Sequence, residues 1–115
     1  MVEYSTALDL VFRALGDPTR RQMVATLDSQ ERSVSDLARP LNMTLAAVLK
    51  HVLVLERAGI IHRSKRGRTH YCRLDPKPLA AASQWLEVYR RLWNEQLDKL
   101  EEYLARNQSK GQSDA

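Results

Sequence analysis

Between Arg57 and Arg73 the chain carries six Arg or Lys residues (57, 63, 65, 66, 68 and 73) and no Asp or Glu. Unopposed cations at that density suit one task above others, the neutralisation of a polyanion such as a phosphate backbone. The charge excess is local. Residues 1–76 hold 12 basic and 8 acidic side chains and residues 77–115 hold 6 of each, so the formal +4 lies in the head and the tail is neutral. A charged hairpin that only protects a sheet edge from aggregation would have similar composition. The capped helix directly before it favours the polyanion.

Other chemistries find less support. Cys72 is the only cysteine, which rules out an internal disulfide, and a thiolate metal cage would need several chains. A reducing cytoplasm fits such a chain. His51, His62 and His70 have no partners at ligand spacing, so no metal site is expected. Neither a nucleophile with its base nor a glycine-rich phosphate loop is present, and the chain reads as no enzyme and as needing no cofactor. No apolar run of about 18 residues and no secretion signal occur, so no membrane partner is expected.

Five helical segments and one hairpin must position these residues. The first helix, about Ser5 to Leu15, carries Leu8, Val11, Phe12 and Leu15 at helical spacing and stops at Gly16. Asp17 caps the second, with Pro18 in its first turn, where the amide has no helical partner anyway. Met23, Val24 and Leu27 give it a buried face, and Asp28 to Arg32 form a polar loop. Ser33-Val34-Ser35-Asp36 resembles a capping box and opens a brief helix to about Arg39, which Pro40 and Asn42 end or kink.

Thr44 is the N-cap of the fourth helix, which runs to about Ala58 before Gly59 stops it. At 100° per residue Leu45, Val48, Val52 and Leu55 share the core side, while Ala46, Lys50, Leu53 and Arg57 point the other way. Small and cationic residues there let the helix approach a phosphate-lined groove, and its free N-terminal amides can bind a phosphate. Leu49 and Leu53 form an apolar shoulder beside Lys50. Two uses stay open for that shoulder, contact with thymine methyl groups or extra core.

Ile60 to Arg66 and Thr69 to Leu74 read as strands joined by Gly67-Arg68, a two-residue turn with glycine at its first place. The register pairs Arg66 with Thr69, Lys65 with His70, Arg63 with Cys72 and Ile61 with Leu74. Cys72 then shares a face with Ile61 and Leu74, as a small buried hydrophobe rather than a nucleophile. His62 and His70 fall on opposite faces.

Together these segments resemble the ArsR-type winged helix-turn-helix transcriptional regulators, over roughly residues 8–76. The resemblance is carried by Ala14-Leu15-Gly16-Asp17-Pro18-Thr19-Arg20-Arg21, Ser35-Asp36-Leu37-Ala38, Ala47-Val48-Leu49-Lys50-His51-Val52, Leu55-Glu56-Arg57-Ala58-Gly59-Ile60-Ile61, and the Gly67-Arg68 turn through Tyr71-Cys72-Arg73-Leu74. It implies a mainly α fold with a small β-hairpin, a winged helix-turn-helix with N- and C-terminal dimerisation helices. It also implies a sequence-specific repressor in which Thr44, Ala46, Leu49 and Lys50 face the groove of double-stranded DNA and Lys65, Arg66 and Arg68 form the wing. Metal-sensing members place paired cysteines at the start of the third helix, where this chain has Ser33, Val34, Ser35 and Asp36. Their other common site uses acids and histidines on the last helix, which here has no histidine. Relatives usually carry serine at the place of Leu49 and a polar or basic residue at that of Leu53.

The last segment, Pro78 to about Arg106, would extend about 43 Å as one helix, more than a head of this size can cover. Leu79, Ala82, Trp85, Leu86, Tyr89, Leu92, Trp93, Leu97, Leu100, Tyr103 and Leu104 make a stripe too wide for a single contact. A fold-back within the monomer is one use of it and a second subunit is another. Similar family members dimerise through their first and last helices, which would bring Leu8, Val11 and Phe12 together with Tyr89, Trp93, Leu97 and Leu100 in a homodimer. A small-molecule effector between the long helices, at Trp85, Tyr89 and Trp93, stays open beside dimer packing. The expected division is a DNA-binding head at 1–76, a dimerisation helix at 77–106 and a flexible polar tail at 107–115. A dimeric protein-binding module with weak or no DNA binding, using Leu49 and Leu53 as its patch, is the alternative to a regulator.

Overall fold

In the computed structural model, residues 2–28 and 30–113 are described. The order is α1 (Val2–Leu15), α2 (Pro18–Thr26), β1 (Arg32–Ser33), α3 (Val34–Ala38), a 3-10 turn (Arg39–Leu41), α4 (Leu45–Arg57), β2 (Ile61–Arg66), β3 (Thr69–Leu74) and α5 (Pro76–Ser113). Residues through Ala82 pack as one unit, and from Ser83 a second unit consists of helix alone.

Side-chain caps begin α2, α3 and α4. The Asp17 carboxylate accepts from the Arg20 amide at 3.0 Å, Ser33 Oγ from the Asp36 amide at 3.1 Å, and Thr44 Oγ1 from the Ala47 amide at 3.2 Å. The hydrogen bond from the Arg20 amide holds the Asp17 carboxyl below the usual carboxylate range, helped by the charge of Arg20. Asn42 takes a left-handed conformation (φ 53°), which its short polar side chain tolerates, and so turns the chain from the 3-10 turn towards the Thr44 cap. Glycine ends α4. Gly59 has φ 76°, its amide donates to the Glu56 carbonyl, and the Ile60 amide donates to the Leu55 carbonyl, both at 3.0 Å. This is a Schellman motif, with Ile60 and Leu55 both fully buried as its apolar pair.

All the helices of the first unit share a single core with the sheet. Ala14 from α1, Met23 and Leu27 from α2, Leu37 from α3, Val48, Val52 and Leu55 from α4, and Ile60, Ile61 and Cys72 at the sheet are all buried. The register of β2 against β3 is the expected one throughout, from Ile61 opposite Leu74 to Arg66 opposite Thr69. Gly67 has φ 64°, as a turn with glycine in its first place requires.

Several expectations need correction. The polar loop ends in a short strand, β1, which pairs with β3 through Arg32 and Cys72 and through Ser33 and Tyr71, so the sheet has three strands in the order β1-β3-β2. Two residues are too few for periodicity to reveal. Helix α1 starts at Val2 rather than about Ser5, and α5 starts at Pro76 rather than Pro78. Asp75 is the missed signal, since its carboxylate accepts from the Lys77 amide at 3.0 Å in the same Asp-Pro pattern that opens α2. At its other end α5 continues through Ser113, past Arg106; Asp114 and Ala115 of the expected tail lie outside the described residues. Leu45, assigned to the core side, is 51% exposed because it precedes the first turn that the core covers. Val11, assigned to a subunit interface, is 3% exposed inside its own core.

From Ser83 onward α5 leaves Leu86, Val88, Leu92, Trp93, Leu97, Leu100, Tyr103 and Leu104 largely exposed. Among the described residues no helix is long and apolar enough to cross a membrane.

Gly59→Ala tests the Schellman motif. A Cβ at Gly59 would meet only the Pro78 ring at 3.5 Å, so the cost comes from the left-handed backbone. We expect about 1 to 2 kcal/mol of lost stability, read as a lower urea midpoint with an unchanged slope.

Candidate nucleic-acid interface

Burial of Val48, Val52 and Leu55 sets how α4 is rotated. It leaves Thr44, Ala46, Lys50 and Arg57 exposed, as expected of a groove-facing surface. The apolar shoulder divides. Leu49 is half-buried and packs against the core, whereas Leu53 is 39% exposed. Leu45 and Leu49 also line a pocket of about 160 Å³ with Val34 and Ser35 from α3 and Arg68, Thr69 and His70 from the wing. The helix-turn-helix and the hairpin therefore form one continuous surface at this point.

The wing's cations are not equivalent. Lys65 and Arg68 are exposed. Arg66, although exposed, is ion-paired with Glu31 and stacked on the Tyr71 ring, its guanidinium carbon 4.0 Å from the ring centroid. Arg63 turns back to α4, where its Nε donates to the Glu56 carboxylate at 3.2 Å. That pairing bridges the Gly59 corner and offsets one of the six counted charges. Counting charges between Arg57 and Arg73 missed it because Glu56 lies one residue outside that window.

Arg20 and His51 form a joint that sequence spacing did not reveal. Arg20 Nε donates to the Ala14 carbonyl at 2.6 Å and Nη2 to the Arg13 carbonyl at 3.1 Å, so its charge neutralises the carbonyl end of α1. Arg21 does the same for the Leu15 carbonyl at 2.8 Å. Arg20 Nη1 lies 3.2 Å from His51 Nδ1 on α4. Since a guanidinium only donates, Nδ1 accepts and the His51 proton is on Nε2. One side chain thus links α1, α2 and α4 behind the outward face.

His62 Nε2 lies 2.7 Å from Asp75 Oδ2. That hydrogen bond is the main cause holding the Asp75 carboxyl below the usual carboxylate range, with the Lys77 amide adding to it. Among the described residues no three His, Cys, Asp or Glu side chains gather into a metal-holding group. Of the residues assigned to a subunit interface, Leu8 and Phe12 are half-buried on α1. On α5, Tyr89, Trp93, Leu97 and Leu100 are exposed, Trp93 at 62%. Tyr89 stacks against Trp85 one turn earlier, with ring centroids 4.2 Å apart.

Comparison with known proteins agrees with this geometry. Residues 15–64 match the family described as a helix-turn-helix domain. The chain is 35% identical over 89 residues to the HTH-type transcriptional regulator Rv2034 of Mycobacterium tuberculosis, covering 77% of this chain and 80% of that protein. It is 28% identical over 76 residues to the transcriptional repressor SdpR of Bacillus subtilis, covering 66% of this chain and 84% of the repressor. A crystal structure of an ArsR family transcriptional regulator superposes with a TM-score of 0.74 at 37% identity, covering 79% of this chain and 94% of that one.

Cys72 is fully buried, and burial pushes its thiol up to about 11; Glu56 adds to the rise and Arg63 opposes it. We expect the folded protein to leave a thiol-specific disulfide reagent unconsumed at mildly alkaline pH and to consume one equivalent once unfolded in guanidinium. Rapid modification of the native protein would contradict this burial.

Proposed function

We propose, since this chain belongs to the ArsR-type winged helix-turn-helix family of transcriptional regulators, that it works as a homodimer binding an inverted-repeat operator and repressing the promoter it occupies. One observation carries the reading: Ala46, Lys50 and Arg57 on α4 are exposed together with Lys65 and Arg68 on the wing, while Glu56 and Glu31 are engaged by Arg63 and Arg66. The remaining cations are free to meet phosphate.

Each part of this surface has its own task. The α4 N-terminus, capped by Thr44, directs unpaired amides at the groove, and Ala46 is small enough to let the backbone approach. Lys50 follows one turn later, within reach of base edges. Lys65 and Arg68 lie along the backbone or in the minor groove and set the register without reading sequence.

Dimerisation follows from α5. A row of exposed Trp93, Leu97 and Leu100 is costly in water and is relieved by a second copy of the same helix. Leu8 and Phe12, half-buried on α1, add to that interface. Two copies would set their recognition helices about 34 Å apart, one turn of duplex, and so match an inverted repeat. The name of the repressor SdpR supports repression over activation.

Fluorescence anisotropy against a duplex selected from a random pool tests the assignment. Lys65→Ala and Arg68→Ala should weaken binding to all duplexes alike and each lower the salt slope by about one. Lys50→Ala should cost about 1 to 3 kcal/mol on the selected duplex and narrow its margin over scrambled DNA. Equal losses on both duplexes would show that Lys50 only holds backbone. Leu97→Lys should sediment as a monomer and lose operator affinity; a variant that stays dimeric would place the interface elsewhere.

A further inference from the structure

Leu45, Leu49 and Leu53 recur every fourth residue, so they form one inclined row that turns about 80° around α4 from its first member to its last. Leu45 and Leu53 are 51% and 39% exposed, and Leu49 is open to the pocket between α3, α4 and the wing. The row belongs only partly to the core. Exposed leucines on a short helix are a cost unless something covers them, and their surroundings narrow what that is. Lys50 and Arg57 accompany the row on α4 and Arg68 lines the pocket beside Leu45 and Leu49, so an apolar occupant would have to arrive on a strongly anionic carrier. In a duplex, the apolar groups of the major groove are the C5-methyls of thymine.

We propose that this row reads thymine methyl groups, so that each operator half-site carries neighbouring thymines on one strand. The inference rests on the DNA-binding reading above and adds what that surface selects. From Leu45 to Leu53 the helix rises about 12 Å at 1.5 Å per residue. That spans roughly three or four base steps of about 3.4 Å. Leucine offers no hydrogen bond to a base edge, so the row discriminates through apolar contact, while Lys50 alongside supplies a polar one. Guanine or cytosine under the leucines would place polar base edges against hydrocarbon and leave them unpaired.

The test uses the full chain and needs no prior operator. Duplexes are selected from a random pool, and the winner is remade with deoxyuridine in place of thymidine, which removes the C5-methyls and keeps the hydrogen-bonding edges. We expect neighbouring thymines in the selected half-sites, and binding weaker by about fourfold for each methyl contacted. In Leu45→Ala and Leu53→Ala, whose exposed side chains contribute little to the core, the thymine-to-uracil ratio should fall towards one with the melting temperature preserved. Equal affinity of the parent protein for both duplexes, with salt-sensitive binding intact, overturns methyl reading and leaves DNA binding standing. An unchanged ratio in both variants overturns it too. Absence of salt-sensitive binding to any duplex removes both readings.

Discussion

Helix α4 lies at the centre of the core and presents an exposed cationic face at once, and one set of contacts settles both. Val48, Val52 and Leu55 are fully buried against helices and sheet, so the helix cannot roll without withdrawing all three from the core. Each such side chain is worth about 1.5 to 3 kcal/mol of burial. A roll of one residue, about 100°, would therefore cost about 4 to 9 kcal/mol, comparable to the whole margin by which a small domain is folded. The presentation of Lys50 and Arg57 is fixed by residues that never meet solvent.

Electrostatics refine what packing sets. Arg20 binds the carbonyl end of α1 and meets His51 on α4, so α1, α2 and α4 are tied at one polar joint. Arg63 and Glu56 brace the corner between α4 and the wing, and Arg66 is held by Glu31 and Tyr71. These partly exposed pairs are individually weak. Their effect is geometric: they commit two arginines to internal contacts and leave the exposed Lys65 and Arg68 at the edge.

Much of this was legible in the chain. Caps at Asp17, Ser33 and Thr44, the glycine stop at Gly59 and the whole β2–β3 register follow from local rules, because each depends on residues within a few positions of one another. Strand β1 did not, since pairing Arg32 with Cys72 is a long-range event that two residues cannot announce. Leu45 and Val11 failed for a related reason. Periodicity identifies a helix face but not where along the helix the neighbouring core begins or ends, and that boundary exposes Leu45 and buries Val11. Placement of Lys50, Arg57, Lys65 and Arg68 at the surface was readable; the partners that retire Arg63 and Arg66 were not, because Glu56 and Glu31 lie outside the basic run that drew attention.

Gly67, at the tip of the hairpin, has no neighbour within 4 Å of where a side chain would begin. The register beneath it is locked from the other end, by burial of Ile61 and Cys72. Extra residues grafted at that tip would therefore lengthen the arm without shifting either strand. Reach across a ligand is thus an adjustable dimension of this scaffold, separable from its folding and open to change by insertion rather than by redesign of the interior.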